Sequence, residues 1–437
     1  MDDLIKPKIL KGFRDFLPES EMERLRVQGV LEKTFRSFGF LPIDTPVLEY
    51  TEVLLGKGGG ETDKQMYRFT DQGGRDVAMR FDLTVPFARF MAGHFHELYL
   101  PFKRYHIAKV FRGENTQRGR YREFMQCDFD TVGTDSASAD FEILLVMRRS
   151  FLDLGIEGVE IRFSHRGVFN RVLGNLGLAE KSVDILRTVD KINKVGEEEV
   201  RSALARLAGD AAASIILDYI RPGDSNDDTL GKMIRLAGTE AEDTRRIASI
   251  LSWMKALDIE KTFILDPSIT RGLDYYTGIV FETFLTEIPA IGSVCSGGRY
   301  NDLASLYTTE KLPGVGASIG LDRLLAALDE LGKKPAREAS TDILIFHTGD
   351  ADLPACHAAA AALRAEGLSA EVYPEAQKPA KQFAFAEKKG IPLGIFIDPA
   401  GTGRVSLRDL ERRETREGLT LQEAASDAKR RLSGPRS

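Results

Sequence analysis

The stretch RGENTQRGRYREFMQCDFD, residues 112–130, is the part of the sequence that most constrains the fold. It predicts two strands joined by a polar loop that contains glycine. It carries four arginines, Arg112, Arg118, Arg120 and Arg122, together with Phe124. Ordered guanidinium groups bind phosphate oxygens in pairs, and a neighbouring aromatic ring can stack on a flat base. A polyphosphate site and a charged surface hairpin both fit this composition.

The overall composition indicates a globular protein of two to three domains. The chain has 437 residues, of which 43% are hydrophobic and 29% charged, and these are ordinary values. Its net charge of -6 argues against nonspecific coating of nucleic acid but allows a local basic patch. Its three cysteines form no Cys-x-x-Cys pair, so we predict neither disulfides nor a metal site and expect a cytoplasmic location. No apolar run is long enough to span a membrane, and the first residues lack a secretory signal.

Helical and strand patterns alternate along the first three quarters of the chain. We predict a first helix capped by Ser20, with Glu23 completing a capping box and Gly39 ending it. A helix at 137–154 and a strand at 159–164 follow. Residues 168–257 have a strongly helical composition, which indicates a helical module inserted in a mostly β core. Strands return at 262–265, 278–286, 293–295 and 314–319, before a helix from Leu321.

The pattern changes near residue 340. Residues 333–340 have the composition of a linker, and beyond them strands at 342–346, 369–372, 393–397 and 404–407 alternate with helices at 351–366 and 378–389. This order predicts a small α/β domain with a parallel or mixed sheet. Thr420 and Glu423 form a predicted capping box at the start of a last helix. The predicted domains are a core in two parts (1–167 and 259–332), a helical insertion (168–258), a linker (333–340) and an α/β domain (341–437).

Motifs along nearly the whole chain resemble those of class II aminoacyl-tRNA synthetases. IDTPVLE at 43–49 resembles the first class motif, a dimer-interface element, residues 111–130 resemble the second, and GVGASIGLDR at 314–323 resembles the third. RGLDYYTG at 271–278 is more specific, because it resembles the signature that separates the histidine enzymes from their class relatives. SVCSGGRY at 293–300 resembles the glycine-rich strand and turn that follow it. The chain thus resembles the histidyl-tRNA synthetase family.

The resemblance implies a fold, an activity and partners. The fold is a multidomain α+β and α/β chain, in which a class II antiparallel-sheet catalytic core with a helical insertion precedes a small α/β anticodon-binding domain. The activity is that of a histidine--tRNA ligase, which converts histidine and ATP to histidyl-adenylate and pyrophosphate and then transfers histidine to the 3' end of tRNA(His). ATP is a substrate accompanied by Mg2+, and we expect no tightly bound cofactor. The partners are histidine, ATP, tRNA(His) and a second copy of the chain in a homodimer.

The resemblance assigns the ATP site to the second and third motifs. It places Arg112 on the α-phosphate and on the amino-acid carboxylate, Arg323 on the γ-phosphate and Arg120 beside them. Glu114 would meet the adenine amino group, and Phe124 would stack on the ring. Fixed positive charge at these positions would neutralise the charge that develops on the phosphates during transfer.

The resemblance also assigns a catalytic arginine and a histidine pocket. Arg271 stands where other class members hold a metal-bound charge, and a guanidinium stays protonated at working pH. Asp82 and Thr84 are expected to bind the α-ammonium and Asp130 the imidazole, although many relatives carry Glu at both carboxylate positions. The full set expected to bind histidine is Asp82, Leu83, Thr84, Arg112, Gln126, Asp130, Arg271, Tyr275 and Tyr276.

Most of these residues also have purely structural interpretations. Asp82 could cap the helix that Pro86 opens. One of Tyr275 and Tyr276 could be core packing, because neighbours on a strand alternate faces. The remaining structural interpretations are an ion pair between Arg299 and Asp302, a tight turn at Gly297 and Gly298, burial as small hydrophobic residues for Cys127 and Cys295, and a surface charge for Arg323.

RNA binding and the exact function are each open to more than one interpretation. Residues 115–119 would face the tRNA acceptor end, and 378–389 gives the last domain a basic helix with exposed aromatic residues, although an ordinary amphipathic helix fits equally well. The main competing function is that of the synthetase-like regulatory subunit of ATP phosphoribosyltransferase in histidine biosynthesis. Arg112, Arg271, Arg323 and the α/β tail argue against it. A different class II synthetase and a synthetase-like RNA-sensing module also compete, and the signature at 271–278 argues against the first of these.

Overall fold

The computed structural model describes residues 4–56, 65–270, 275–333, 340–398 and 402–433. The chain divides into two compact units, Met1–Lys334 and Pro335–Ser437. Each unit contains hydrophobic clusters of its own. The predicted linker spans this boundary, and its residues 334–339 lie outside the described residues. Within the described ranges, the helices are all too short or too polar to cross a lipid bilayer.

An eight-stranded sheet forms the centre of the first unit. The strands of this unit are β1 Leu41–Pro42, β2 Leu48–Tyr50, β3 Arg68–Thr70, β4 Asp76–Met79, β5 Phe102–Phe111, β6 Glu123–Val132, β7 Val159–His165, β8 Phe263–Leu265, β9 Ile279–Leu285, β10 Cys295–Arg299 and β11 Gly314–Gly320. The large sheet has the order β1-β5-β6-β11-β10-β9-β7-β8, and β2-β4-β3 form a small sheet. In the large sheet β1–β5 and β7–β8 are parallel pairs and the other neighbours are antiparallel. The expected antiparallel-sheet core is confirmed.

The hairpin predicted from the opening stretch is present as β5 and β6, which have ten residues each. In its register Arg104 lies opposite Asp130, and Phe111 lies opposite Glu123. The four arginines of the opening stretch are not on the strands, because residues 112–122 form the connection between them. The sheet therefore fixes both ends of an arginine-rich loop.

Helices flank this sheet. In the first unit they are α1 Pro18–Ser37, α2 Thr51–Leu55, α3 Thr84–His94, α4 Ala137–Asp153, α5 Arg166–Asn175, α6 Ser182–Val189, α7 Ile192–Val195, α8 Glu197–Ala208, α9 Asp210–Ile220, α10 Asn226–Ala237, α11 Glu242–Ala256 and α12 Leu321–Glu330. The prediction that Ser20 caps α1 is wrong, because Pro18 is already in the first turn and Leu17 precedes it in an extended conformation. Proline has a helical φ and no N–H to satisfy, so it can begin a helix without a side-chain cap.

The predicted helical insertion is a long crossover between neighbouring strands. Helices α5 to α11 connect β7 to β8, and these two strands pair in parallel. Apolar residues of the insertion, among them Ile216 and Ile250, belong to the same hydrophobic cluster as Phe129 of β6. The insertion therefore shares its core with the sheet.

The insertion also closes one edge of the sheet. The side-chain amide of Asn226, at the start of α10, binds the outer side of β8. Its Nδ2 donates to the carbonyl oxygen of Phe263 at 3.0 Å, and its Oδ1 accepts from the main-chain N–H of Leu265 at 2.8 Å. One amide thus takes the place that a further strand would otherwise occupy.

The second unit is an α/β domain with a mixed sheet, as predicted. Its elements are β12 Ile343–Phe346, α13 Leu353–Ala365, β13 Ala370–Val372, α14 Pro379–Lys389, β14 Leu393–Ile397, β15 Val405–Asp409, β16 Thr415–Leu419 and α15 Leu421–Ser433. The sheet order is β13-β12-β14-β15-β16, with parallel pairs up to β14 and antiparallel pairs beyond it. The capping box is confirmed, since Thr420 Oγ1 accepts from Glu423 N at 3.2 Å and Glu423 Oε2 accepts from Thr420 N at 2.8 Å.

Candidate active site

One end of the candidate site is a buried carboxylate at the start of α3. Asp82 Oδ1 accepts the main-chain N–H of Val85 at 3.1 Å, and its Oδ2 accepts from the Tyr275 hydroxyl at 3.1 Å. The Tyr275 hydroxyl also hydrogen-bonds the Thr84 side chain. Burial raises the pKa of Asp82 to about 6. Asp82 therefore caps the helix with one oxygen and faces the predicted histidine pocket with the other, so the two interpretations are compatible.

A second buried carboxylate, Asp130, lies on β6. Its Oδ2 is 2.8 Å from Nη2 of Arg104, and its Oδ1 accepts from the Tyr300 hydroxyl at 2.5 Å. Burial raises the pKa of Asp130 to about 7, while the Arg104 guanidinium acts in the opposite direction. The negative charge of Asp82 adds to the rise in the pKa of Asp130, so these two predicted histidine-binding carboxylates influence one another.

Arg104 is a residue that the sequence did not single out. Its side chain is fully buried on β5, its Cζ lies 4.3 Å from the centre of the Phe87 ring, and its Nη2 lies 3.7 Å from Asp128 Oδ2. Its Nε and Nη1 have no hydrogen-bond partner among the described residues. The signal that could have identified it is its position opposite Asp130 in the hairpin register. A fully buried arginine is retained where it balances a buried negative charge.

Glycines make room for these side chains. A Cβ on Gly316 of β11 would lie 1.9 Å from Asp130 Oδ1, and one on Gly314 would lie 2.4 Å from the Tyr300 ring. A Cβ on Gly298 of β10 would lie 3.0 Å from the Tyr276 ring. Gly314 and Gly316 of the third class motif, and Gly298 of the glycine-rich strand, therefore allow side chains of the candidate site to pack closely against the sheet.

Two arginines from distant segments, Arg112 and Arg323, influence one another electrostatically at the other end of the site. Arg112 follows β5 directly, donates from Nε to the carbonyl oxygen of Phe81 at 2.9 Å, and has its Cζ 5.1 Å from the centre of the Phe124 ring. Arg323, in the first turn of α12, donates to the carbonyl oxygen of Ser293 at 2.5 Å. The alternative interpretation of its side chain as a plain surface charge is not supported, because the side chain is half-buried.

Burial lowers the pKa of Arg323 to about 10, and the electrostatic influence of Arg120 and Arg112 acts in the same direction. Glu114 opposes this effect on Arg323, and its Oε2 lies 3.9 Å from Nη1 of Arg120. The predicted ATP-binding residues Arg112, Glu114, Arg120 and Arg323 therefore share one electrostatic environment. A cluster of guanidinium groups that remains protonated at neutral pH is suited to a polyanion.

The remaining predicted residues lie as follows. Gln126 of β6 donates from Nε2 to Ser318 Oγ at 3.0 Å. The Leu83 carbonyl accepts from Arg104 Nη2 at 3.4 Å. The rings of Tyr275 and Tyr276 meet edge to face, with centroids 5.1 Å apart. Arg271 lies outside the described residues, so its assignment stays a prediction.

Two structural expectations for residues near the site have clear outcomes. The predicted ion pair between Arg299 and Asp302 is wrong. Arg299 instead donates from Nε to Asp140 Oδ1 at 2.8 Å, and the other oxygen of Asp140 accepts from Arg246 of α11 at 2.7 Å. Cys127 and Cys295 are buried free thiols, as expected.

The prediction that α14 exposes its aromatic residues is also wrong. Phe383 and Phe385 are half-buried and pack on a small cluster of the second unit, with the Phe383 ring 4.7 Å from Phe346. Lys381 and Lys388 of the same helix are exposed. The helix therefore presents charge outward and packs its aromatic rings inward.

Comparison with known proteins finds a matching family model for each unit. A family model described as histidyl-tRNA synthetase matches residues 12–324, and one described as an anticodon binding domain matches 342–431. A histidine--tRNA ligase from Treponema denticola is 54% identical over 91% of this chain and 90% of its own length. One from Rhodopirellula baltica is 44% identical over 95% of this chain and 96% of its own length.

Solved structures agree with this comparison. The crystal structure of a histidyl-tRNA synthetase from a Nostoc species superposes with a TM-score of 0.86 at 31% identity, covering 98% of this chain and all of the other. The match extends over the catalytic core, the insertion and the second unit alike. The chain belongs to the histidyl-tRNA synthetase family.

Proposed function

We propose that this protein is a histidine--tRNA ligase. It activates histidine with ATP to histidyl-adenylate and pyrophosphate, and it then transfers histidine to the 3' end of tRNA(His). The observation that carries the proposal is that Arg112 acts electrostatically both on Arg323, from a distant segment, and on the buried carboxylate of Asp82, which in turn acts on the buried carboxylate of Asp130.

In the first step the histidine carboxylate attacks the α-phosphorus of ATP. An oxygen–phosphorus bond forms, the bond to the bridging oxygen breaks, and pyrophosphate leaves. Arg112 would hold the α-phosphate and the attacking carboxylate together, and Arg323 with Arg120 would receive the charge of the leaving group. Phe124 would stack on adenine and Glu114 would accept from its amino group. Arg271 is proposed as the catalytic arginine.

ATP enters this reaction as its magnesium complex. Among the described residues, no group of three or more His, Cys, Asp or Glu side chains could hold a metal ion. We therefore expect the phosphate oxygens to supply most of the ligands, as is usual for Mg2+ bound with a nucleotide.

The two carboxylates would divide the recognition of histidine between them. Asp82, with Thr84 and Gln126, would bind the α-ammonium, and Asp130, with Tyr275 and Tyr276, would receive the imidazole. Burial raises the pKa of Asp130 to about 7 and Arg104 opposes that rise. In its ionised form the Asp130 carboxylate can accept a hydrogen bond from a ring N–H. An apolar side chain would leave these buried polar groups unpaired, and this is an effective way to reject it.

Binding of tRNA and dimerisation complete the proposal. Residues 115–119 would contact the acceptor end, and the second unit, with Lys381 and Lys388 exposed, would bind the anticodon region. For a homodimer the support is a set of large apolar side chains of the first motif and its neighbours that are each 40–50% exposed. They are Leu41, Val47, Leu48, Tyr50 and Phe69. An apolar patch of this kind is typical of an interface between subunits.

Amino-acid-dependent exchange of pyrophosphate into ATP tests the function. We expect histidine alone among the amino acids to drive exchange, and total tRNA then to accept labelled histidine. If histidine drives no exchange, the proposal is wrong and a regulatory subunit is favoured. If a different amino acid drives it, the chain serves as another class II synthetase.

A further inference from the structure

Arg166 binds the main chain at three points around the signature motif. It is the first residue of α5 and follows β7 directly. Its Nη1 donates to the carbonyl oxygen of Tyr276 at 2.7 Å, and its Nη2 donates to that of Thr270 at 3.2 Å. Its main-chain N–H donates to the carbonyl oxygen of Gly278 at 3.0 Å. The guanidinium therefore holds carbonyls on both sides of residues 271–275.

The main chain held in this way carries two side chains of the candidate pocket. The Tyr275 hydroxyl donates to Asp82, and the Tyr276 ring packs against Gly298, where a Cβ would come within 3.0 Å of it. A tyrosine ring pivots on few bonds, so the place of its hydroxyl depends closely on the position of its main chain. The contacts of Arg166 thus bear directly on the geometry around Asp82.

We propose that Arg166 is a positioning residue for the amino-acid pocket, which it stabilises from the first helix of the insertion by fixing the main chain of Tyr275 and Tyr276. The inference rests on the proposed function, because its effect is measured in histidine activation. A guanidinium suits this task, since its planar fork holds two carbonyl oxygens at once. The compact ammonium of lysine cannot reproduce that geometry.

Arg171 of the same helix offers a matched control. It is half-buried, as Arg166 is. Its Nη2 donates to Asp243 Oδ1 at 2.8 Å and its Nη1 to the carbonyl oxygen of Thr239 at 3.3 Å. Both partners lie in the insertion, so Arg171 supports the insertion without any of the signature contacts that Arg166 makes. An arginine with only a structural role in α5 should behave like Arg171.

The test is pyrophosphate exchange by the full chain, with histidine and ATP varied in turn. Arg166→Ala should raise the KM for histidine about tenfold and lower kcat about tenfold, because a displacement of about 1 Å at a site can cost on the order of 100-fold in rate. It should change the KM for ATP less than about twofold. Arg166→Lys should lie between Arg166→Ala and the unchanged chain. Arg171→Ala should leave both KM values unchanged, although it lowers the thermal midpoint.

A double variant with Tyr275→Phe shows whether the effect passes through the pocket. If the two residues are coupled, the increase in the histidine KM of the double variant is smaller than the product of the two single increases. Independent, multiplicative effects would overturn the proposal, as would kinetics of Arg166→Ala that match those of Arg171→Ala. Should Arg166→Ala fail to fold, Arg166→Lys is judged by the same criteria. Absence of histidine-dependent exchange in the unchanged chain would instead refute the proposed function, and this inference with it.

Discussion

The two pocket carboxylates show how one residue type acquires different properties from its surroundings. Asp82 has a helix N–H and a tyrosine hydroxyl as partners, whereas Asp130 faces a fully buried guanidinium. Burial raises the pKa of both, to about 6 for Asp82 and about 7 for Asp130. Their protonation therefore changes within the range of pH in which enzymes are assayed.

Histidine binding should weaken as the pH falls through about 6. In the proposed binding mode the α-ammonium pairs with the ionised form of Asp82, and below this pKa the free protein holds the neutral acid. The KM for histidine in pyrophosphate exchange should therefore rise from pH 7 to pH 5.5. The control is Asp82→Asn, which keeps the titration of the substrate ring but loses that of the carboxylate. Equal pH profiles for the two proteins would contradict the assignment.

Arg112→Ala should reduce kcat/KM for adenylate formation by roughly 100- to 1000-fold, since a donor aimed at developing charge is worth about that much. The variant removes the side-chain hydrogen bond to the Phe81 carbonyl oxygen, which is a small loss to the fold. The measurement is single-turnover adenylate formation, with circular dichroism to check folding. Lys109→Ala, an exposed cation on β5 paired with Glu123, is the control and should remain active. If Arg112→Ala retained its activity, the assignment of Arg112 to the candidate active site would be wrong.

The sequence predicted side chains with a recognisable motif better than those without one. Asp82, Tyr275 and Arg323 follow motif positions. In the structure Tyr275 donates to Asp82, and Arg120 and Arg112 act electrostatically on Arg323, while the roles of these residues stay predictions. Arg104 was not identified from the sequence, because an isolated arginine in the strand FKRYHIAKVF has the same pattern as a solvent-exposed charge. Only the pairing of β5 with β6 shows that it faces Asp130. Register is a property of two segments, and one segment does not reveal it.

Helices and strands likewise were predicted where they have a local sequence pattern and missed where they depend on a neighbouring segment. The capping box at Thr420 is a local pattern and was predicted, as was the hairpin of β5 and β6. β16 was missed, because TREGL is exposed along most of its length and has no apolar alternation. It forms through its pairing with β15 in the finished sheet. Strands of this kind depend on their neighbour more than on their own composition.

β11 leaves room for Asp130 because residue 316 is a glycine and has no side chain. Gly316→Ala would place a methyl group against Asp130. We expect it to cost about 1–3 kcal/mol of unfolding free energy, as overpacking does, and to raise the KM for histidine. Urea unfolding and pyrophosphate exchange measure the two effects.

Gly320→Ala on the same strand is the control. Its nearest contact would be the Val294 carbonyl oxygen at 3.9 Å, so it should unfold like the unchanged protein. Equal behaviour of the two alanine variants would mean that Asp130 moves aside without loss.

At the scale of the whole molecule, the two units have separate hydrophobic clusters. A protein ending at Lys334 should therefore fold and form adenylate at close to the normal rate. Its charging of tRNA should fall on the order of 100-fold, because the contribution of a second binding module is lost. Exchange and charging assays on the same preparation give the answer. Equal loss of both activities would show that the first unit needs the second in order to fold.

Asn226 has a consequence for solubility. In its absence the outermost strand would present a free N–H and a free carbonyl to whatever extended peptide came near, including the same strand of another molecule. Asn226→Leu should accordingly leave catalysis intact in dilute solution yet form higher oligomers as concentration rises, which light scattering would detect. A single amide on a helix of the insertion would then be what limits the growth of this sheet.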